Sequence, residues 1–77
     1  IDIRGMRAEE AILRVQDLLD NALMVQHRNL RILHGKGNGI LRQVIRQYLA
    51  TVDIVGSFRD EHVDMGGAGV TLVEMDF

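Results

Sequence analysis

The 77-residue chain has no cysteine, one lysine and three aromatic rings. Without cysteine there are no disulfides, thiolate metal sites or thiol nucleophiles, which fits a reducing cytoplasm. With only Tyr48, Phe58 and Phe77, the chain hardly has the rings for a single-strand reader built on stacked bases, which needs two or three exposed. No apolar run is long enough to span a membrane as a helix, so no membrane partner is expected. A net charge of −2 excludes a basic tail. What is present is ordinary for a folded chain: 47% hydrophobic and 26% charged residues argue against disorder. The length allows one domain, in which roughly 60% of the unfolded surface can be buried. The chain opens on Ile1 rather than Met and is expected to be a fragment of a longer protein. Its nine cations are eight arginines and Lys36, and guanidinium groups bind phosphate and carboxylate bidentately.

Apolar spacing predicts the elements. Ile1-Asp2-Ile3 alternates and then meets Gly5, a short strand leaving into a turn. Ala8, Ala11, Ile12, Val15, Leu18, Leu19, Ala22 and Leu23 recur every three or four residues, predicting a helix over Arg7–Met24. Glu9 and Glu10 fall in its first turn, where the helix dipole favours anions. Leu30–His34 reads as a second strand. Leu41, Val44, Ile45, Tyr48 and Leu49 give a second helix over Ile40–Ala50, with Arg42 and Arg46 one turn apart on another face. Ser57–Arg59 is a weak strand and Val70–Met75 a firm one.

The order is β-α-β-α-β-β, an α/β (α+β) chain. Two crossovers and a hairpin predict a mixed four-stranded sheet with both helices on one face, a two-layer sandwich. The turn after Arg4, the turn after His34 and the loop from Glu61 to Gly69 would then converge on one sheet edge, where open α/β sheets bind ligands. Gly67 and Gly69 belong to that edge.

His34-Gly35-Lys36-Gly37-Asn38-Gly39 joins a strand to a helix amino terminus. Glycines there let backbone N–H groups approach an anion, and the helix dipole adds positive potential. Lys36 adds a full charge, His34 is a residue type that exchanges protons near neutrality, and Asn38 can cap the helix. A tight turn needing glycine for geometry is the plainer alternative for the glycines alone. Two known phosphate loops do not fit: the spacing fails Walker A, and Gly35, Gly37 and Gly39 run Gly-x-Gly-x-Gly rather than Gly-x-Gly-x-x-Gly. Arg4, at a strand's carboxyl end, suits a phosphate clamp, or a salt bridge to Asp2 or Asp60. Asp2 is otherwise an edge-strand charge. His27 and His62 read as solvated loop residues. No histidine or carboxylate pair has zinc spacing, so no metal or cofactor is expected, though Asp60, Glu61 and Asp64 could gather a cation weakly.

Three segments in order resemble the Smr (small MutS-related) domain: Ile1-Asp2-Ile3-Arg4-Gly5 with Glu10-Ala11, then His34-Gly35-Lys36-Gly37, then Gly67-Ala68-Gly69-Val70-Thr71-Leu72-Val73. The resemblance covers nearly the whole chain. Arg4 stands where many members carry His, which is similar to the form found at the carboxyl terminus of bacterial MutS-like ATPases of the second type. The resemblance implies a fold like the C-terminal domain of bacterial translation initiation factor three. It also implies nucleic-acid binding, with nicking of DNA or RNA in several members. The parent is implied to be an ATPase linked to suppressing recombination or rescuing collided ribosomes. Two roles stay open. In a metal-independent nicking nuclease, His34 is the general acid or base, Lys36 and Arg4 stabilise phosphorane-like charge, and Asp2 orients one of them or the imidazole. In a binding module, Arg4, Lys36, Arg42, Arg46, Asn38 and the loop glycines Gly35, Gly37, Gly39, Gly67 and Gly69 grip DNA, RNA or the ribosome without cleavage.

Overall fold

The computed structural model describes all 77 residues. Helix α1 covers Ala8–Val25, strand β1 Asn29–Leu33, helix α2 Ile40–Leu49, strand β2 Val55–Asp60 and strand β3 Val70–Met75. Two single-turn 3-10 segments, Val63–Met65 and Gly67–Gly69, lie between β2 and β3. Both predicted helices and the strands predicted over Leu30–His34, Ser57–Arg59 and Val70–Met75 are where the apolar spacing put them, with ends differing by at most two residues; the strand predicted over Ile1–Ile3 is not.

The sheet differs from expectation. It has three strands in the order β1-β3-β2, with β3 antiparallel to both neighbours. β1 and β2 therefore run parallel with β3 inserted between them. The expected fourth strand is reduced to one parallel bridge, Asp2 opposite Leu33. Ile3 N–H donates to the Leu33 carbonyl at 2.9 Å, and Leu33 N–H to the Ile1 carbonyl at 2.8 Å. The ladder stops there for a local reason. The Arg4 N–H turns back to Asp2 Oδ1 at 3.0 Å, and Gly5 at φ 76° swings the chain away.

Strand alternation divides the sheet into two faces. Leu30, Ile32, Val73 and Met75 join Ala11, Val15, Leu19 and Ala22 of α1 and Ile45 and Leu49 of α2 in one buried cluster. Ile3 completes it and is fully buried. On the opposite face Arg31, Arg59 and Glu74 are exposed. Both helices thus cover the face that carries the core.

α1 ends at Gln26 in the left-handed region (φ 60°), where its N–H and that of His27 close on Ala22 and Leu23 carbonyls. β2 carries an irregularity at Gly56, between the pairs Val55–Met75 and Ser57–Glu74.

Candidate nucleic-acid interface

The carboxyl ends of β1 and β2 and the amino end of β3 meet at one edge, as the convergence argument required. His34 N–H and Gly35 N–H both donate to the Gly69 carbonyl, at 3.1 and 2.9 Å. These bonds join the loop after β1 to the turn before β3. Beside them opens a cleft of about 490 Å³, walled by Gly5 to Ala8 on one side and His34 to Leu41 on the other. The two walls contain the amino termini of both helices, so two helix dipoles bring positive potential to one space. Neither helix is capped by its own N-cap side chain: Arg7 caps α1 and Gly39 caps α2. Asn38 does part of that work, accepting the Ile40 N–H through Oδ1 at 3.1 Å. The N–H groups of Lys36, Gly37 and Asn38 have no protein acceptor. α2 has no acidic residue in its first turn, whereas α1 carries Glu9 and Glu10. The α2 head is therefore the stronger anion pole.

Lys36 is exposed and makes no ion pair. Arg7, which sequence reasoning passed over, lines the opposite wall and is also exposed and unpaired. Its signal was available: the residue before a helix start is held at the amino pole. Arg4 packs near the loop, its Cγ 3.4 Å from where a Cβ on Gly35 would lie. Its guanidinium is bound to Asp2 through Nε (3.1 Å) and Nη2 (2.9 Å). The Arg4 side chain and then its N–H hold the Asp2 carboxyl down to about 2. Asp2 in turn raises the Arg4 pKa further.

Several expected site residues stand elsewhere. Asp2 makes no bond to His34, so it does not set the imidazole tautomer; its carboxylate is occupied by Arg4. Arg42 and Arg46 do not line the cleft. Both are bound to Asp60 Oδ1, at 3.0 and 2.5 Å, because β2 ends beside the flank of α2. The Arg42 hydrogen bond, then the charges of Arg46 and Arg42, hold the Asp60 carboxyl below its usual range. Arg46 also donates to Thr71 Oγ1 from Nε (3.2 Å) and Nη2 (3.1 Å) and lies over the Phe58 ring at 5.6 Å. Gly67 is buried in the turn below Val63 rather than lining the cleft. Glu61 pairs with Arg31 at 2.8 Å rather than joining a cation site. No three His, Asp or Glu side chains gather around a common point.

His34 lines the cleft but is only 5% exposed. Nδ1 lies 2.9 Å from the Gly35 carbonyl and Nε2 lies 2.8 Å from Thr71 Oγ1. Thr71 is fully buried and was missed as a partner. Its signal was a threonine at a core-facing position of β3, where a hydroxyl needs a bond.

Fold and cleft together define a class: a small two-layer α+β domain that brings the amino termini of both its helices to one cleft. The Smr domain profile matches residues 1–76, and the chain belongs to the Smr domain family. It is 43% identical to the Endonuclease MutS2 of Geobacillus kaustophilus and 47% identical to that of Caldicellulosiruptor saccharolyticus, each over 75 residues. Those alignments cover 97% of this chain and 10% of each relative, so the chain spans about a tenth of their length. The crystal structure of the Smr domain of Thermus thermophilus MutS2 superposes with a TM-score of 0.95 at 44% identity, covering 97% of this chain and 94% of that one. YdaL, a stand-alone small MutS-related protein from Escherichia coli, gives a TM-score of 0.93 at 25% identity, covering 100% of this chain and 63% of that one.

Proposed function

We propose that this domain binds nucleic-acid backbone phosphates in the cleft between the two helix heads. The observation that carries the reading is the α2 head: unbonded N–H groups of Lys36, Gly37 and Asn38, no acidic residue in the first turn, and the free ammonium of Lys36. Backbone donors at a helix amino terminus fit a phosphate with no sequence preference. Lys36 and Arg7 supply the free charge, and Arg4 adds hydrogen-bond donors from the adjoining loop. The domain acts within a larger MutS-like ATPase, in suppressing recombination or rescuing ribosomes, with DNA, RNA or ribosomal RNA as the polymer held. Affinity falls steeply with salt, and on duplex DNA each lost phosphate contact lowers the log–log slope by about 0.9. Lys36→Ala removes one such contact, whereas Arg14→Ala, on the exposed side of α1, leaves the slope unchanged. Equal losses from both variants would mean that the surface is misplaced.

A second reading adds strand nicking, supported by the name endonuclease carried by the relatives and by the position of His34 in the cleft wall. Lys36, Arg4 and the loop N–H groups would stabilise the charge on a phosphorane-like state, and His34 would move the proton. Both ring nitrogens of His34 are engaged inside the protein, so this role requires the ring to release one of them. The test is nicking of supercoiled plasmid, and cleavage of a structured RNA, in EDTA. Loss of cleavage by roughly a hundredfold or more in His34→Ala, with salt-sensitive binding retained, assigns the proton transfer to His34. Salt-sensitive binding with no nicking by the wild-type chain leaves a binding module.

A further inference from the structure

The hydrogen bonds around His34 have one consistent assignment. The Gly35 carbonyl can only accept, so Nδ1 carries a proton and donates to it. Arg46 can only donate, and its Nε and Nη2 both point at Thr71 Oγ1. A hydroxyl oxygen has two lone pairs, and Arg46 takes both. The Thr71 proton is left to donate, and the acceptor within reach is Nε2 at 2.8 Å. Nε2 is therefore bare, and the ring is the neutral Nδ1–H tautomer. Asp60 Oδ1 also accepts from Arg46 Nη2, and the guanidinium lies over the Phe58 ring.

We propose that Asp60, Arg46 and Thr71 are positioning residues that act through His34 on the anion-binding loop, by fixing the imidazole tautomer and with it the orientation of the Gly35–Lys36 peptide. Both polar groups of Gly35 are held: its N–H by the Gly69 carbonyl at 2.9 Å and its carbonyl by His34 Nδ1. In a trans peptide the carbonyl and the following N–H point in opposite directions. Tying the Gly35 carbonyl to the imidazole therefore turns the Lys36 N–H away from it, where no protein group accepts it. The loop thus offers a preoriented donor instead of one that must be ordered when the phosphate arrives. On this view the arginine on α2 that sequence spacing suggested as a phosphate ligand serves the phosphate at one remove, through Thr71 and His34.

The binding part of this proposal rests on the phosphate reading above; the tautomer part does not. Long-range ¹H–¹⁵N NMR of the wild-type chain should report a protonated Nδ1 and a bare Nε2 on His34. A protonated Nε2 would overturn the assignment, and this measurement needs no variant. Thr71→Val keeps the side-chain shape and removes the hydroxyl. Its Nε2 resonance should move to that of a nitrogen without a donor, and its affinity for a labelled DNA duplex should fall roughly five- to tenfold, the equivalent of one preoriented hydrogen bond. Thr71→Ser should restore both. Circular dichroism melting establishes that the compared variants are folded. A folded Thr71→Val that binds duplex as tightly as wild type overturns the relay. If wild type itself binds no duplex while His34 shows the Nδ1–H tautomer, the phosphate reading fails and the hydrogen-bond assignment stands.

Discussion

Arg46→Ala separates a structural arginine from a ligand-binding one. Sequence spacing put Arg42 and Arg46 with Lys36 on one phosphate surface. The structure puts Arg46 between Asp60, Thr71 and Phe58, with its side chain 20% exposed. Truncation removes a charged donor from a buried hydroxyl, which costs about 1.5–3 kcal/mol. It also removes a cation–π contact, which adds about 0.5–1 kcal/mol. The ion pair with Asp60 faces solvent and contributes little beyond that. The total is about 2–4 kcal/mol, a large share of the stability of so small a domain. With a shift of about 4–8 °C per kcal/mol at this size, the melting temperature should fall by on the order of 10–30 °C. Lys36→Ala should leave melting unchanged and lower the salt slope of duplex binding by about 0.9. The assay is thermal melting by circular dichroism, paired with fluorescence anisotropy on labelled duplex over a salt series. An Arg46→Ala chain that melts like wild type yet loses a full slope unit would refute the assignment and return Arg46 to the phosphate surface.

Arg42→Ala should cost much less than Arg46→Ala, within about 0.5 kcal/mol by chemical denaturation, because its side chain is half-exposed and its buried Nε has no acceptor to lose. Asp2 titrates at about 2 when folded and near the ordinary carboxylate value when unfolded, so the unfolded chain takes up the proton first. Its contribution is full above about pH 4 and lost as pH falls through about 2; Asp2→Asn should flatten that part of the acid melting curve. Gln26→Gly should stabilise by about 0.5–1 kcal/mol, since Gln26 holds φ 60° at the end of α1, and a lowered melting temperature would count against the cap. Gly66→Ala should destabilise by about 1–3 kcal/mol in the same assay: φ is 137°, and a Cβ would lie 2.7 Å from Val70 Cγ2.

The elements were legible because each repeats a simple pattern over enough residues. Ala11, Val15, Leu19 and Ala22 fall on one buried line of α1, and Thr71, Val73 and Met75 alternate into the core from β3. The strand order was not legible. It depends on β3 pairing with β1 across about forty residues of chain, and nothing in Val70–Met75 says which neighbours it takes. The leading segment looked like a strand because Ile1 and Ile3 alternate with Asp2, but alternation does not reveal that the Asp2 carboxylate captures the Arg4 N–H and ends the ladder. The loop from His34 to Gly39 was legible as a glycine turn leaving free N–H groups at a helix head, since its glycines and following helix define the geometry locally. The partners of Arg42 and Arg46 were not, because Asp60 is supplied by another element.

A net charge of −2 is no obstacle to the proposed binding of a polyanion, because the acids and bases are sorted. Arg4, Arg31, Arg42 and Arg46 are bound by Asp2, Glu61 and Asp60. Those acids neutralise arginines that shape the loops around the cleft and contribute little net field. Arg7 and Lys36, left without acidic partners, stand on the two walls of the cleft. Glu9 and Glu10 offset part of the field at the α1 head, while the first turn of α2 carries no acid. At physiological salt, charges farther than about 8 Å are screened, so the remaining acids matter less to a phosphate in the cleft than these few groups do. The potential that a backbone phosphate meets is thus set by two free cations, two helix termini and a loop whose Gly35 carbonyl is turned away from it. Arg4, already charge-compensated by Asp2, adds little net positive charge beside them.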